Sequence, residues 1–317
     1  MNQSKKNILI LGASGFIGGQ LTEYLCDKEY SISIFCRNKN NLSFDNGCLS
    51  RTRVIYGNYC NRADLRRALK NINIVINLIP SCAFKNESQN RFSNLSKSVS
   101  LDIAFIEECN IAGIERVIFA SSGGTVYGRI GDGPVSENNL TKPESEYGLS
   151  KLFFEQYLYM NSLASNLQYT VLRISNPYGV GQSPFKNQGV IAKFMWRIIQ
   201  KEEIEIYGDI LSGRDYIYIS DLLNAFEIAI NMNSFKSNIY NIGSGALTTL
   251  EDLIVNLKEF SSTEPCIKYL KARQGDIHSN YLDINLSATE MKWRPKVSLE
   301  KGLLLTHDYL SSIASHG

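Results

Sequence analysis

Asn7-Ile8-Leu9-Ile10-Leu11 runs directly into Gly12-Ala13-Ser14-Gly15-Phe16-Ile17-Gly18, and this junction is the strongest indication of the fold. The five apolar residues are typical of a short buried β-strand. Residues 20–28, which follow the glycines, carry apolar side chains on one face and are compatible with a helix. A strand, a glycine-rich turn and a helix in this order predict a dinucleotide-binding site.

Each of the three glycines has its own expected role in such a site. Gly12 would permit the tight turn, Gly15 would let a pyrophosphate approach the backbone, and Gly18 would allow helix and strand to pack closely. The amino terminus of the helix would then face the phosphates. The predicted cofactor-binding residues of this segment are Gly12, Ser14, Gly15, Phe16, Ile17 and Gly18.

Short apolar strands alternate with helices in the residues that follow. The predicted strands are 31–37, 53–56, 71–79 and 114–120, with helices at 62–69 and through 99–109. This alternation predicts an α/β fold, a doubly wound parallel (Rossmann) sheet with a second, smaller substrate-binding lobe. Ligands bind such sheets beyond the carboxyl ends of the strands, where Asn58 and Leu78 are further expected cofactor contacts.

The length of 317 residues suits two lobes. From about residue 177 a loop containing glycine, proline and polar residues interrupts the strand–helix pattern. We therefore predict a dinucleotide-binding Rossmann domain over residues 1–176, to which 215–250 returns, and a mainly substrate-binding lobe over 177–317.

The end of the second predicted strand bears on the choice between NAD and NADP. A carboxylate there would bind a free ribose 2′-hydroxyl, but the residues present are Cys36 and Arg37. Arg37 would pair with a 2′-phosphate, which favours NADP. A solvated arginine at the start of a polar loop would give the same pattern, so the preference for NADP is slight.

Composition excludes several classes of function. The net charge is +2, from 33 basic and 31 acidic residues, which predicts no nucleic-acid partner. The apolar run before Gly12 is too short for a signal peptide or a membrane span, so we expect neither a leader nor a membrane partner. Seven cysteines without a Cys-x-x-Cys pair and three dispersed histidines indicate reduced thiols in a cytoplasmic protein and no metal site.

Tyr147 and Lys151 are spaced by four residues at the start of an apolar run with helical periodicity. On a helix the phenol and the ammonium would face the same cavity. A nearby cation favours the phenolate and would lower the tyrosine pKa from about 10. Tyr147 would then accept a proton from an alcohol as a hydride leaves the adjoining carbon. Alone, the spacing also fits a half-buried helix with a surface lysine.

Further motifs give this pair a family context. They are Ser121-Ser122-Gly123-Gly124-Thr125-Val126-Tyr127-Gly128, Leu172-Arg173-Ile174-Ser175-Asn176-Pro177-Tyr178-Gly179, Gly213-Arg214-Asp215-Tyr216-Ile217-Tyr218-Ile219-Ser220-Asp221, Tyr240-Asn241-Ile242-Gly243-Ser244-Gly245 and Arg273-Gln274-Gly275-Asp276. With the glycine turn and Tyr147-x-x-x-Lys151, the chain resembles the extended short-chain dehydrogenase/reductases that act on nucleotide sugars. The resemblance is to the UDP-glucose 4-epimerase-like branch of the NAD-dependent epimerase/dehydratase family, from Ile8 to about Leu303.

The resemblance implies a retained NAD(P) and oxidation of a sugar at C4, followed by rotation of the 4-keto sugar and return of the hydride. Tyr147 would be the acid/base, and Lys151 would bind the nicotinamide ribose and lower the tyrosine pKa. The implied substrate is a nucleotide sugar, most simply a UDP-sugar. Its implied contacts are Asn176, Arg214 and Arg273 at the diphosphate, Asp276 at the uridine ribose and Asn280 at the C2 substituent.

Two further functions stay open on the sequence. Arg37, and Gly123 where the family has a hydroxyl-bearing residue, are compatible with an NADPH-dependent 4-keto-sugar reductase. A catalytically silent dinucleotide-binding regulator is the third reading, and the intact Tyr147 and Lys151 disfavour it.

The chain departs from the family at its third catalytic position. Gly123 stands where the family has a serine or threonine, so the hydroxyl must come from elsewhere. Thr125, two residues on, would face the same side of an extended strand and is the first candidate, with Ser122 second. Gly124 and Thr125 also replace the Asp-Glu pair of the related dehydratases, so 4,6-dehydration is not expected.

Other departures affect the cofactor shell and the assembly. Asn58 replaces an aspartate near adenine, and Ser98 replaces a helical asparagine. The helical segments 99–109 and 147–163 match those that form the family's dimer, which implies a homodimer. Burial within a monomer would give the same apolar faces. A role in polysaccharide biosynthesis fits enzymes of this type.

Overall fold

In the computed structural model we describe residues 5–38, 42, 45–79, 91–129, 133–186, 189–232, 239–261, 264–271 and 279–316, and only the backbone of 46, 91–93 and 316. The strands within these ranges are β1 (Lys6–Leu11), β2 (Tyr30–Cys36), β3 (Arg53–Tyr56), β4 (Ile74–Asn77), β5 (Arg116–Ser122), β6 (Gln168–Ile174), β7 (Asn176–Tyr178), β8 (Ile204–Tyr207), β9 (Gly213–Arg214), β10 (Tyr216–Tyr218), β11 (Ile239–Ile242), β12 (Thr248–Thr249), β13 (Ile267–Leu270) and β14 (Ser279–Asn280). The helices are α1 (Phe16–Cys26), α2 (Asn46–Arg51), α3 (Arg62–Leu69), α4 (Arg91–Ala112), α5 (Glu146–Ala164), α6 (Val190–Gln200), α7 (Ile219–Asn231), α8 (Leu250–Lys258) and α9 (Leu299–His316), with a π-helical turn at Ser287–Met291.

The main sheet confirms the predicted doubly wound architecture. Among the described residues it has seven parallel strands in the order β11-β6-β5-β4-β1-β2-β3. The chain order reverses at β1, which lies between β2 and β4. Such a switch point leaves a crevice beyond the carboxyl ends of the strands, and ligands of open α/β sheets bind there.

Burial on both faces explains the strand sequences. Ile8, Leu9, Ile10 and Leu11 are all fully buried, as expected for a central parallel strand covered by helices on either side. Ile8 and Ile10 belong to the core beneath α1, whereas Leu9 and Leu11 belong to the core beneath α4 and α5. The glycine turn that follows β1 therefore starts from a well-packed strand.

Several element boundaries differ from the predictions. Helix α1 begins at Phe16, directly after Gly15, rather than near residue 20, because the glycine turn needs no further linker. Strand β4 covers only Ile74–Asn77 of the predicted 71–79. Strand β5 continues to Ser122, two residues beyond the predicted end.

The later part of the chain builds small sheets next to the main one and also returns to it. Strand β8 pairs with β13, β7 pairs with β10, and β9 lies between β12 and β14. Strand β11 joins the edge of the main sheet beside β6. Helix α7 packs on α1, and Glu227 of α7 forms an ion pair at 2.6 Å with Lys28, which follows α1.

No helix among these described ranges has the length and apolarity required to cross a membrane.

Candidate active site

The glycine turn after β1 has the backbone that a dinucleotide diphosphate requires. Gly12 has a φ of +89°, which L side chains rarely adopt, and its carbonyl accepts a hydrogen bond from the Gly15 amide at 3.0 Å. A Cβ on Gly18 would lie 2.2 Å from that carbonyl oxygen, so only glycine fits there. No side chain caps the first turn of α1 and no acidic residue lies in it. Its amide groups therefore suit an anion such as a diphosphate.

The carboxyl ends of β1, β4 and β5 converge next to this turn. The Leu78 amide donates to the Leu11 carbonyl at 3.0 Å, and a Cβ on Gly12 would lie 3.2 Å from the Leu78 carbonyl carbon. The Lys151 ammonium donates to the Ala120 carbonyl at 2.7 Å and lies 3.5 Å from the Ile79 carbonyl. Lys151 thus connects α5 to the ends of β5 and β4, beside the glycine turn.

The structure brings Tyr147 and Lys151 together on the first two turns of α5. The helix begins after Ser145, whose hydroxyl accepts from the Gly148 amide at 3.0 Å as an N-cap. The Lys151 Nζ lies 5.7 Å from the centroid of the Tyr147 ring and 4.4 Å from that of Phe119. Lys151 is only 2 % exposed. A cation held near a phenol favours its phenolate form.

The turn after β5 corrects the argument that selected Thr125. The strand ends at Ser122, and the amides of Thr125 and Val126 both donate to the Ser122 carbonyl, at 3.2 and 3.1 Å. Residues 123–125 form a turn, so the assumption of an extended strand was wrong. The threonine still borders the tyrosine helix, because a Cβ on Gly148 would lie 2.7 Å from the Thr125 carbonyl oxygen.

The Thr125 hydroxyl has a property that suits a ligand contact. Its oxygen is buried and has no hydrogen-bond partner within the described part of the chain. A buried hydroxyl normally finds a partner, because leaving it unpaired costs about 1–3 kcal/mol. Ser122, the second candidate, is half-buried at the end of β5.

Packing explains why no hydroxyl occupies position 123. A Cβ on Gly123 would lie 2.7 and 2.9 Å from the two terminal methyl carbons of Leu282. The Leu282 amide donates to the Asp215 carboxylate at 3.2 Å, which holds the leucine in place. The Asn280 side chain donates to the Gly123 carbonyl at 3.2 Å. Sequence reasoning did not reveal that Leu282 and Asp215 act at this turn, because nothing near Gly123 in the chain points to them.

The predicted substrate contacts lie around Asp215. The Asn176 side chain donates to the Asp215 carbonyl at 2.9 Å. Arg214 on β9 is paired in register with Asn280 on β14, and Asn280 reaches the turn at Gly123. The structure therefore brings Asn176, Arg214 and Asn280 to one region beside the turn. Arg273 and Asp276 lie outside the described residues.

The remaining predicted cofactor contacts lie along the carboxyl edge of the sheet. Asn58 is exposed, and its side-chain oxygen accepts from the Cys60 amide at 3.0 Å, leaving one lone pair for another donor. Arg37 is exposed and comes directly after β2. Ser14 is exposed beside Gly15, whereas Phe16 and Ile17 are half-buried against the core.

A buried polar network behind the turn was not predicted. Arg173 pairs with Glu155 at 2.6 Å, and Ser121 also donates to that carboxylate. Tyr127 accepts from Arg173 at 2.9 Å and donates to Asn241 at 2.7 Å. Burial raises the pKa of Tyr127 to about 12, although Arg173 opposes the shift. Tyr127 therefore stays protonated at neutral pH and supports the turn through its hydrogen bonds.

Comparison with known proteins agrees with this geometry. Residues 8–243 match the sequence profile of the NAD dependent epimerase/dehydratase family. The chain belongs to this family. As a member of the NAD-dependent epimerase/dehydratase family it is an enzyme of the extended short-chain dehydrogenase/reductase type, which confirms the resemblance drawn from the motifs.

The chain is similar to a protein named as a reductase and to proteins named as 4-epimerases. It is 35 % identical to a dTDP-4-dehydro-6-deoxyglucose reductase of Escherichia coli, over 96 % of this chain and 97 % of the relative. The structure of the UDP-glucose 4-epimerase of Thermotoga maritima with UDP-glucose is 30 % identical, with a TM-score of 0.87 over 97 % of this chain and 99 % of that one. The UDP-glucose 4-epimerase of Thermus thermophilus with NAD is 26 % identical, with a TM-score of 0.83 over 96 % and 98 %.

Proposed function

We propose that this enzyme is a nucleotide-sugar 4-epimerase that oxidises and re-reduces C4 of an NDP-hexose through a 4-keto intermediate. The observation that carries the proposal is the placement of Tyr147 and Lys151 beside the glycine turn, where β1, β4 and β5 end. A proton acceptor and a dinucleotide cradle at one crevice suit the removal of a hydride from a secondary alcohol.

The cofactor is proposed to be NAD(P), held by Gly12, Gly15 and Gly18 with the amino terminus of α1. Ser14, Phe16, Ile17, Asn58 and Leu78 would complete its site. Bound NAD(P) would supply the hydride acceptor for C4. NAD is present in the Thermus thermophilus relative, whereas the exposed Arg37 after β2 supports a slight preference for NADP.

Tyr147 would handle the proton at the C4 hydroxyl. Its phenolate would accept that proton as the hydride leaves, and the phenol would return it when the 4-keto sugar is reduced on the other face. Lys151 would hold the ribose next to the nicotinamide and stabilise the phenolate by its charge. The main-chain carbonyls of Ala120 and Ile79 help to fix the position of the Lys151 ammonium.

Thr125 would supply the hydroxyl that Gly123 lacks. Its buried oxygen has no partner in the described structure, and its backbone touches the start of α5. A substrate C4 oxygen placed between Tyr147 and Thr125 would satisfy it. Ser122 remains the second candidate for this contact.

The substrate is proposed to be a UDP-sugar, UDP-glucose/UDP-galactose or their N-acetylated forms. Arg214 and Arg273 would bind the diphosphate, since guanidinium groups form charge-assisted hydrogen bonds with phosphate oxygens. Asn176 would assist there, and Asp276 would contact the uridine ribose. Asn280, which touches the turn at Gly123, would border the sugar at C2.

The test uses protein as purified, without added cofactor. It is incubated separately with UDP-glucose, UDP-N-acetylglucosamine and UDP-glucuronic acid, and the products are separated by chromatography. We expect one C4 epimer and an extractable dinucleotide near one equivalent per chain. Protein that carries its dinucleotide and yields no C4 epimer would contradict the proposal.

A second candidate is an NADPH-dependent reductase of NDP-4-keto sugars. The observation that favours it is the 35 % identity to the dTDP-4-dehydro-6-deoxyglucose reductase of Escherichia coli. The same Tyr147 would then donate a proton to the C4 oxygen as it is reduced. Such an enzyme releases its cofactor, so it would be purified empty and would consume NADPH stoichiometrically with a 4-keto sugar.

We further propose a cytoplasmic homodimer formed through α4 and α5. Apolar side chains on these helices are exposed, namely Ile111 (65 %), Tyr159 (52 %), Met160 (56 %) and Leu163 (72 %). A helix pair with this much exposed apolar surface suits an interface. The six cysteines that the structure describes are free thiols, which fits a reducing compartment. Leu163→Glu should convert a dimer into a monomer in light scattering, and a monomeric wild type would contradict the dimer.

A further inference from the structure

Helices α4 and α5 run side by side in the same direction, and their contacts define a register. Asn110 lies 3.4 Å from Asn161 between side-chain atoms, and the rings of Phe105 and Phe154 are 6.2 Å apart. Three residues before Phe105 is Asp102, and three residues before Phe154 is Lys151. Asp102 therefore faces the catalytic lysine across the helix contact, at the end nearest the glycine turn.

Asp102 is a buried carboxyl group with one oxygen left unpaired among the described residues. It is 5 % exposed, and its Oδ2 has no hydrogen-bond partner within the described residues. Glu108 on the same helix is held by ion pairs with Arg62 and Arg66 of α3. A pairing of this kind does not account for the burial of Asp102. Burying a carboxyl group in this way is costly, so a structural role alone gives no reason for it.

The titratable groups that face Asp102 come from three elements. Lys151 lies on α5, with Tyr147 one turn before it. Tyr59, after β3, is fully buried against Phe105, and its pKa is raised well above the usual value by burial and then by the charge of Asp102. Cys109, further along α4, is buried, and burial raises its thiol pKa. Lys151 is the cation of this set.

Burial and the lysine act in opposite directions on the carboxyl group. Burial raises the pKa of Asp102 to about 7, although the Lys151 ammonium favours the carboxylate. The charge of the Asp102 carboxyl group, which lies beside Lys151, thus changes within the neutral pH range. A fixed hydrogen-bonded carboxylate would not change in this range.

We propose that Asp102 is a positioning residue that acts through Lys151: the charge of its carboxyl group sets how strongly the ammonium favours the phenolate form of Tyr147. With Asp102 protonated, the full positive charge acts on Tyr147. With Asp102 ionised, the carboxylate offsets part of that charge and the phenolate is less favoured. The role of Tyr147 in this inference rests on the proposed function.

The first experiment tests the coupling of Asp102 to Lys151 without any turnover. The infrared band of the protonated carboxylic acid is followed against pH in purified holoenzyme and assigned by its loss in Asp102→Asn. We expect a midpoint near 7 that moves to higher pH in Lys151→Met, because the cation that favours ionisation is gone. Glu108→Gln, which removes a carboxylate facing α3, should leave the midpoint unchanged. An unmoved midpoint in Lys151→Met, or no such band, would overturn the inference.

The second experiment tests the consequence for catalysis through the pH dependence of epimerisation. In Asp102→Asn the part of the acidic limb above pH 7, where wild-type Asp102 is ionised, should move to lower pH by about one unit, the size expected for removal of one charge from a partly buried site. Glu108→Gln should keep the wild-type limb. If the asparagine variant does not fold, Asp102→Ser replaces it.

The outcomes separate the inference from the proposed function. Wild-type protein that epimerises no sugar, with the infrared midpoint still shifted by Lys151→Met, contradicts the function and supports the coupling. An active enzyme whose acidic limb is the same in wild type and Asp102→Asn retains the function and removes the role of Asp102.

Discussion

The start of α5 and the turn at 122–125 border the same crevice, but they are held in place differently. On α5, Lys151 is fixed by carbonyls of two sheet strand ends and by the Phe119 ring. The turn is fixed from a distant part of the chain, by Leu282 against Gly123 and by Asn280 on its carbonyl. The positions of Tyr147 and Lys151 therefore follow from local sequence, whereas the turn depends on residues 280–282.

This difference assigns separate tasks to the two regions. The helix start carries the proposed acid/base pair, so replacing Tyr147 or Lys151 should abolish activity without changing the fold. The turn carries the Thr125 hydroxyl and has no room for a side chain at position 123. Variants of Thr125 should therefore lose turnover, whereas variants of Gly123 should lose stability. Three substitutions examine this division, and a fourth examines the choice of cofactor.

The largest effect is expected for Tyr147→Phe. Removing the phenol removes the proton acceptor for the C4 hydroxyl, so turnover should fall about 10³-fold. The bound dinucleotide and the melting temperature should stay near those of the wild type. Extractable cofactor and product formation are measured on the same sample. A variant with a tenth or more of the wild-type rate would remove Tyr147 from its proposed role.

Thr125→Val should have the next largest effect. Valine has the same shape but lacks the hydroxyl, so turnover should fall about 10²-fold if that hydroxyl contacts the C4 oxygen. Thr125→Ser should keep most of the activity, and Ser122→Ala serves as the matched control. A larger loss in Ser122→Ala than in Thr125→Val would transfer the hydroxyl role to Ser122.

Gly123→Ser tests the turn through stability. The added Cβ meets Leu282 at 2.7 Å, and such overpacking costs about 1–3 kcal/mol in the free energy of unfolding. Gly124→Ser is the control, because the nearest atom to its Cβ is 4.0 Å away. Leu282→Ala is itself destabilising, but in that background Gly123→Ser should cost less than in the wild type, as a double-mutant cycle in urea unfolding would show. Equal stability of the two serine variants would disprove the steric account.

Arg37→Ala should give the smallest effect, confined to the cofactor. If the exposed guanidinium pairs with a 2′-phosphate, the affinity for NADP should fall about tenfold while that for NAD is unchanged. Both affinities are measured by fluorescence on protein stripped of its dinucleotide. Unchanged binding of NADP would leave NAD as the preferred cofactor.

The sequence was sufficient for the fold because its determinants are local. The apolar run 7–11, the three glycines after it and the later strand–helix alternation predict a doubly wound parallel sheet, and the structure adds the strand order with its reversal at β1. Tyr147 and Lys151 were predictable for the same reason, since four residues on one helix fix their geometry.

The rest of the site depends on tertiary packing. Whether Gly123 could be replaced depends on Leu282, and the position of Leu282 depends on the Asp215 carboxylate. Asp102 gave no signal, because a single acidic residue in a helix is ordinary until its burial is known. The division into residues 1–176 and 177–317 stays a prediction.

The most direct test of the proposed epimerase follows the hydrogen on C4. UDP-glucose, or whichever sugar nucleotide the substrate panel identifies, is prepared with deuterium at C4 and given to purified enzyme without added cofactor. If the hydride that leaves C4 returns to the same carbon, the C4 epimer should retain the deuterium in full. An epimer that has lost its label to solvent, or conversion that proceeds only with added NADPH, would contradict the account.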